Sequence, residues 1–422
     1  MQSRFFLTFT LLAFFALDIS VANAFTQNNR RGPKDPANVG PVGLQLKYKS
    51  PNWDAADVTA SPIEITLKPL TETGTRALDW LNLVNKNRAP EQKLVLADRN
   101  TKNPVPPDAP KINSVKVMLK TYQERIDKLP VEMKKVLVEN AALSESTLVT
   151  DEVFITYIRE INSSYQNAVR WIGQQPWLSY YEQNAQYDIR GLYFINRDEN
   201  FKSDMLNFMT LETERKQLLT TWLLGLCLNR TADRVACDAE FANIATPQHA
   251  ANFYAKYIAN AQKTYANFFT LNDVRKELKW NTQRTVITQD FILPSIAAIA
   301  NWLKTNVEEE WKALNFQLLV NYVPQNFTTP FIEFEAGVTP NVSGNTWNKI
   351  TMDPNYSLDD FSTQWTIRHE FGHVLGFPDC YLEFYEPATE EMIYYTIEPD
   401  NLMCAWGGVL QPSHVQEMKR VY

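Results

Sequence analysis

Histidine is scarce in this chain of 422 residues, which has only His249, His369, His373 and His414. Any metal site built on imidazole must draw on these. The four cysteines, Cys227, Cys237, Cys380 and Cys404, form no Cys-x-x-Cys pair, which argues against a thiolate zinc cluster. After residue 24 no apolar run is long enough to cross a bilayer, so no membrane span is expected. Basic stripes, glycine-rich phosphate loops and internal repeats are missing too. With a net charge of -7, nucleic acid is not expected as the main partner. What is present is 45% hydrophobic residues, ample for a core, on a chain long enough for two domains or one large one.

The first 24 residues carry Arg4, an apolar core from Phe5 to Leu17 and the small-residue ending Ala22-Asn23-Ala24. This reads as a secretory signal peptide cleaved before Phe25. No cysteine follows the cleavage point, so no lipid anchor is expected. The implied product is exported, secreted or periplasmic, and disulfides are permitted there.

Residues 25–112 read as an extended, proline-rich leader. They contain an alternating run at 63–67 that suggests a short strand, and a helix at 75–87 capped by Thr75. Helical periodicity dominates 113–280, with segments at 113–128, 130–142, 151–174, 203–228 and 246–271, the last capped by Thr246. Trp171, Trp177 and Trp222 recur there at helical spacing and read as core rather than as a binding groove. Asp188-Ile189-Arg190-Gly191 reads as a salt-bridged turn. From 281 the pattern changes to a strand (285–291), a helix (294–314), strands at 316–323 and 331–335, and a short strand at 350–352. In that helix Ile296, Ile299, Trp302, Leu303, Val307 and Trp311 are expected to face inward. A further helix follows, capped by Thr363 and anchored by Trp365, Ile367 and Phe371. Ser413 and Gln416 suggest a capping box for a closing helix. The expected class is α+β: a mainly helical N-terminal region, then a sheet-containing domain over 281–422.

Within that last segment stands Arg368-His369-Glu370-Phe371-Gly372-His373-Val374-Leu375-Gly376-Phe377-Pro378-Asp379. Two histidines four apart project from one helix face and can hold one ion together. Glu370 lies beside that ion without having to bind it, placed to take a proton from an activated water. The pattern His-Glu-x-x-His alone is short and arises by chance. Here Gly376 supplies a helix stop, Asp379 an oxygen ligand, and Asn401-Leu402-Met403-Cys404 a methionine in an apolar turn beneath the site. Chance would have to provide all of these at once.

That conjunction resembles the metzincin clan of zinc peptidases, with aspartate where histidine usually stands. Aspartate at that position, with Gly-His-Val-Leu-Gly at 372–376 and Pro-Asp-x-Tyr at 378–381, is similar to the snapalysin-like family. The resemblance covers about residues 282–422. It implies a twisted sheet, an active-site helix, a methionine turn at Met403, a C-terminal helix and one catalytic zinc held by His369, His373 and Asp379. It also implies endopeptidase activity on protein or peptide substrates, with Glu370 as general base. An exposed strand within 331–352 is expected to pair with substrate backbone. Tyr381 or Tyr394 is the candidate oxyanion donor. Of three ways to pair four cysteines, two local disulfides are favoured. Cys227–Cys237 would staple a turn between helices, and Cys380–Cys404 would tie the residue after Asp379 to the residue after Met403.

Two other readings stand beside this one. The chain could be an exported helical binding protein whose zinc site is structural or inactive. Or a zinc peptidase could take its third ligand from Glu386, Glu390 or Glu391. For 25–280 the sequence leaves a pro-region, a binding domain and a scaffold all open.

Overall fold

The computed structural model describes residues 62–422, apart from 90–91, 95, 97–103, 272–273, 325–326, 336–339, 344–346, 353–357 and 359–360. The expected signal peptide and the leader as far as 61 lie outside the described residues. The first described element is helix α1, Pro62–Asn85, which corrects two expectations. The run at 63–67 is helical, not a strand, and Thr75 lies mid-helix rather than at a cap. Five alternating residues also satisfy helical spacing once they continue into Leu67, Leu70, Ala77, Leu78 and Leu81, all of them buried.

A short strand β1, Lys111–Asn113, leads into α2, Val115–Lys128, where Ser114 Oγ accepts from Val117 N. Leu129-Pro130 ends that helix, and α3, Val131–Leu137, follows. The next helix, α4, spans Asp151–Gln174 as expected, with the Thr150 hydroxyl capping Val153 N. Then come α5, Leu178–Asn184, α6, Arg190–Arg197, and α7, Phe201–Leu206. The continuous helix expected over 203–228 is broken, and α8, Thr213–Thr231, begins after a turn. Arg215 of α8 reaches back to both Asp198 and Asp204, so the segment folds on itself. Cys227–Cys237 ties α8 to α9, Arg234–Ala242, across a Cα–Cα distance of 5.9 Å. Helix α10, Pro247–Asn267, is capped by Thr246 as expected. Trp171 and Trp222 are buried, in keeping with a core role, whereas Trp177 is only partly so.

The C-terminal region mixes strands and helices. Strand β2, Lys279–Trp280, pairs antiparallel with β3, Val286–Ile292. Helix α11, Ala297–Glu310, crosses over to β5, Phe316–Val323, which lies parallel to β3, and β4, Lys312–Ala313, pairs antiparallel on the far side of β5. That helix starts later than expected and leaves Ile296 exposed, while Leu303, Val307 and Trp311 are buried. A second sheet has the order β6–β8–β7, from Phe331–Phe334, Lys349–Met352 and Asn341–Ser343. Strands β6 and β8 run parallel, and β7 forms an antiparallel outer strand. Ile292 N donates to Pro330 O, so the two sheets adjoin.

Helix α12, Phe361–Val374, packs across α11, β7 and β8. Thr363 lies inside its first turn and is not its cap, but Trp365, Ile367 and Phe371 are buried as expected. After it comes a hairpin of β9, Tyr381–Glu386, and β10, Glu391–Thr396, to which β1 adds a third strand. The closing helix α13, Pro412–Val421, is capped by Gln411 with His414, not by Ser413 with Gln416. Among the described residues no helix is long and apolar enough to cross a membrane.

The hairpin sheet is a shared wall. Leu382, Phe384, Ile393 and Tyr395 join the core that holds α12, alongside Ile189, Phe268 and Leu271 from the helical region. On the opposite face Met392 and Tyr385 pack with Leu67, Leu70, Met118, Trp171 and Tyr181. Alternation along a strand sends each hydrophobic set to its own side.

Candidate metal centre

Helix α12 carries His369 and His373 on adjacent turns, and both side chains are buried. The helix ends at Val374. Gly376 N donates to His373 O and Phe377 N to Gly372 O, and Gly376 takes the left-handed conformation with φ 96°. A side chain at that φ is strained, which accounts for glycine there. The chain then doubles back and delivers Asp379 to the histidines.

His369 Nε2 and His373 Nε2 stand 3.2 Å apart, and each is 3.2 Å from Asp379 Oδ1. Their other ring nitrogens are committed: His369 Nδ1 donates to Leu402 O and His373 Nδ1 to Phe377 O, both at 2.8 Å. A carbonyl can only accept, so Nδ1 carries the proton in each ring and both Nε2 lone pairs point at the carboxylate. Three acceptors thus converge inside the protein, an arrangement that a cation would reconcile. The spacing suits one. Three ligands at about 2.0–2.1 Å around a tetrahedral ion lie about 3.3 Å from each other. These residues could hold a metal ion.

The electrostatics agree in sign. Burial opposes ionisation of Asp379, yet the two imidazoles, once protonated, hold its carboxyl well below the usual range. Burial also opposes a charge on His369, but Asp379 and then Glu370 raise its affinity for a proton. The centre favours positive charge.

No family model matches the chain, and no curated protein or solved structure matches it either.

Glu370 is completely buried and close enough to influence both His369 and Tyr381. Beneath α12 lies Met403. A Cβ built on Gly372 would come within 2.3 Å of Met403 Sδ and 3.2 Å of Trp311, so the methionine packs directly against the backbone between the histidines. Its turn is braced at several points. Asn401 Oδ1 accepts from Met403 N at 2.8 Å, Cys380 N donates to Met403 O at 3.0 Å, and Cys380–Cys404 closes the loop. The same turn supplies Leu402 O to His369, so one short segment orients one ligand and fastens the neighbour of another.

Tyr381 is buried, and its phenol is pushed well up by burial and then by Asp379. Tyr394 sits behind it, with ring centroids 6.0 Å apart. The structure therefore sets both tyrosines on the Asp379 side of the centre. Glu386, Glu390 and Glu391 lie at the distant end of the β9–β10 hairpin and do not join the histidines. Of the remaining histidines, His414 packs against Trp311 and Phe377 as a core residue, and His249 lies in the first turn of α10.

Sequence reasoning did not find the two backbone carbonyls that orient the imidazoles, and no side-chain signal marks them. It also missed the hairpin, although two six-residue runs rich in aromatic and β-branched residues flank Pro387-Ala388-Thr389. Asp188-Ile189-Arg190 is a structural turn: Arg190 pairs with Asp188, and Tyr395 donates to Asp188 Oδ1 at 2.8 Å.

Proposed function

We propose that this chain is an exported zinc-dependent endopeptidase of the metzincin type. The observation that carries the reading is the triangle of His369 Nε2, His373 Nε2 and Asp379 Oδ1, 3.2 Å on each side, with Glu370 on the same helix. The strand, helix, strand, strand and metal-helix order of β3, α11, β5, β6 and α12 is in keeping with it. So is a methionine packed beneath the histidine helix.

Zinc, when bound, would supply the Lewis acidity that turns water into a nucleophile near neutral pH and polarises a peptide carbonyl. His369 and His373 would hold the ion as neutral imidazoles, each fixed in its tautomer by a carbonyl. Asp379 contributes the one anionic ligand, and a neutral Tyr381 phenol lies against it. Glu370 takes the proton of the attacking water and hands it to the leaving amine. Strand β7 is the outer strand of its sheet among the described residues, and an extended peptide would pair along it.

The complete burial of Glu370 favours a second reading, a structural metal site in an exported binding protein. Glu370→Ala separates the two. A peptidase loses cleavage of a mixed peptide library by about 100- to 10,000-fold while keeping its metal. Unchanged hydrolysis in that variant removes Glu370 from the chemistry, and a metal-loaded wild type that cleaves nothing supports the structural site.

A further inference from the structure

Glu383 is a buried carboxylate on β9, four residues after Asp379, and it is held from the other side of the sheet by the helical region. Arg170 of α4 donates to Glu383 Oε2, Gln174 Nε2 donates to Oε1 at 3.0 Å, and Asn184 Nδ2 donates to the Glu383 carbonyl at 3.2 Å. Both charged side chains are largely enclosed, at 13% and 3% exposure. Tyr394, paired with Glu383 across the hairpin, lies within electrostatic reach of Arg170 on one side and Asp379 on the other. Tyr381 lies beside it, its ring tilted at 45° to that of Tyr394, and close to Asp379. Glu383, Tyr394 and Tyr381 thus stand in sequence between Arg170 and Asp379.

We propose that Arg170 is a positioning residue for the metal centre, and that residues 104–271 stay in the working protein as a scaffold rather than leaving as a pro-region. A buried carboxylate stripped of its arginine must find water or lose its charge. Strand β9 can bring Glu383 to water only by shifting, and Asp379 is joined to the start of that strand through Cys380. The exit from the helical region is fastened to the same centre. Arg275 donates to Val374 O at the end of α12 at 3.3 Å, to Trp347 O at 3.2 Å and to Thr328 O at 3.0 Å. Release of the helical region would uncover Glu383, Met392 and Tyr385 together, and would take β1 from the edge of β10.

The inference rests on the metal-site reading and needs no peptidase activity. Cobalt(II) titration of the full chain tests it, comparing wild type with Arg170→Met, Arg170→Lys and the double variant Arg170→Met with Glu383→Gln. Arg170→Met is expected to weaken cobalt binding by about 10- to 100-fold and to change the visible absorption of the bound ion. Lysine should restore part of the affinity. The double variant, which leaves no unpaired charge, should return close to wild type. Should Arg170→Met fail to fold, Glu383→Gln takes its place as the single variant that leaves one charge unpaired: it should bind cobalt more weakly than the double variant, and equal binding by the two overturns the proposal. Wild-type binding and spectrum in Arg170→Met overturn the proposal, as does a folded double variant that binds as weakly as the single one. A wild type that takes up no cobalt overturns the metal centre itself, whatever Arg170 does.

Discussion

The two disulfides set the helical region and the C-terminal region side by side. Cys227–Cys237 closes ten residues between two helices whose surroundings are apolar, and it touches no group of the metal centre. Cys380–Cys404 closes twenty-four and joins the residue after Asp379 to the turn that holds Met403 and orients His369. The surrounding chemistry differs in the same way. In the helical region several ion pairs lie toward solvent, as in Arg88–Asp151, Arg234–Asp238 and Lys256–Glu240. The C-terminal region packs the imidazoles of His369, His373 and His414 and the carboxylates of Glu370, Asp379, Glu383 and Glu417 into its interior. One region is held by ordinary burial. The other gathers a buried His369, His373 and Asp379 group that could hold a metal ion.

Breaking the two bridges in turn is the strongest way to sharpen this contrast. Cys227→Ala with Cys237→Ala, and Cys380→Ala with Cys404→Ala, should each lower stability by about 2–4 kcal/mol in chemical denaturation. Only the second pair should also weaken metal binding. Equal loss of metal from both variants would erase the distinction.

A smaller effect concerns pH. Burial pushes His414 down to about 4, against an ordinary value near 6.5. The unfolded chain therefore takes up a proton before the folded protein does, and stability falls as pH drops from about 6.5 to about 4. The contribution of this one group reaches about 3 kcal/mol. His414→Gln should flatten that part of the stability profile relative to wild type. An unaltered slope between pH 6.5 and 4 would show that His414 is not buried as a neutral ring.

Smaller still is the expected effect of Gly372→Ala. The new methyl displaces Met403 Sδ and presses toward Trp311, which should lower stability by about 1–3 kcal/mol in thermal unfolding while the metal is retained. A neutral substitution would mean that Met403 does not pack beneath the helix as described.

Legibility in the sequence also divided between the regions. The histidine helix, its glycine stop and Asp379 follow from local spacing, and the strand at Phe316–Val323 is legible to the residue. These features depend on neighbours in the chain. The helix Pro62–Asn85 was misread because five residues satisfy period two and helical spacing alike. The Arg170–Glu383 pair joins positions 213 apart, and neither residue is unusual in its own segment. The carbonyls of Leu402 and Phe377 carry no side-chain signature at all. What a contact between distant residues decides cannot be found by reading either of them alone.

The buried triangle of His369, His373 and Asp379 is expected to hold one ion, and metal analysis of the purified protein decides the matter. Elemental analysis of wild type and His373→Ala should find one zinc per chain in the first and none in the second. A wild-type protein devoid of zinc, or His373→Ala protein that keeps it, would contradict the account.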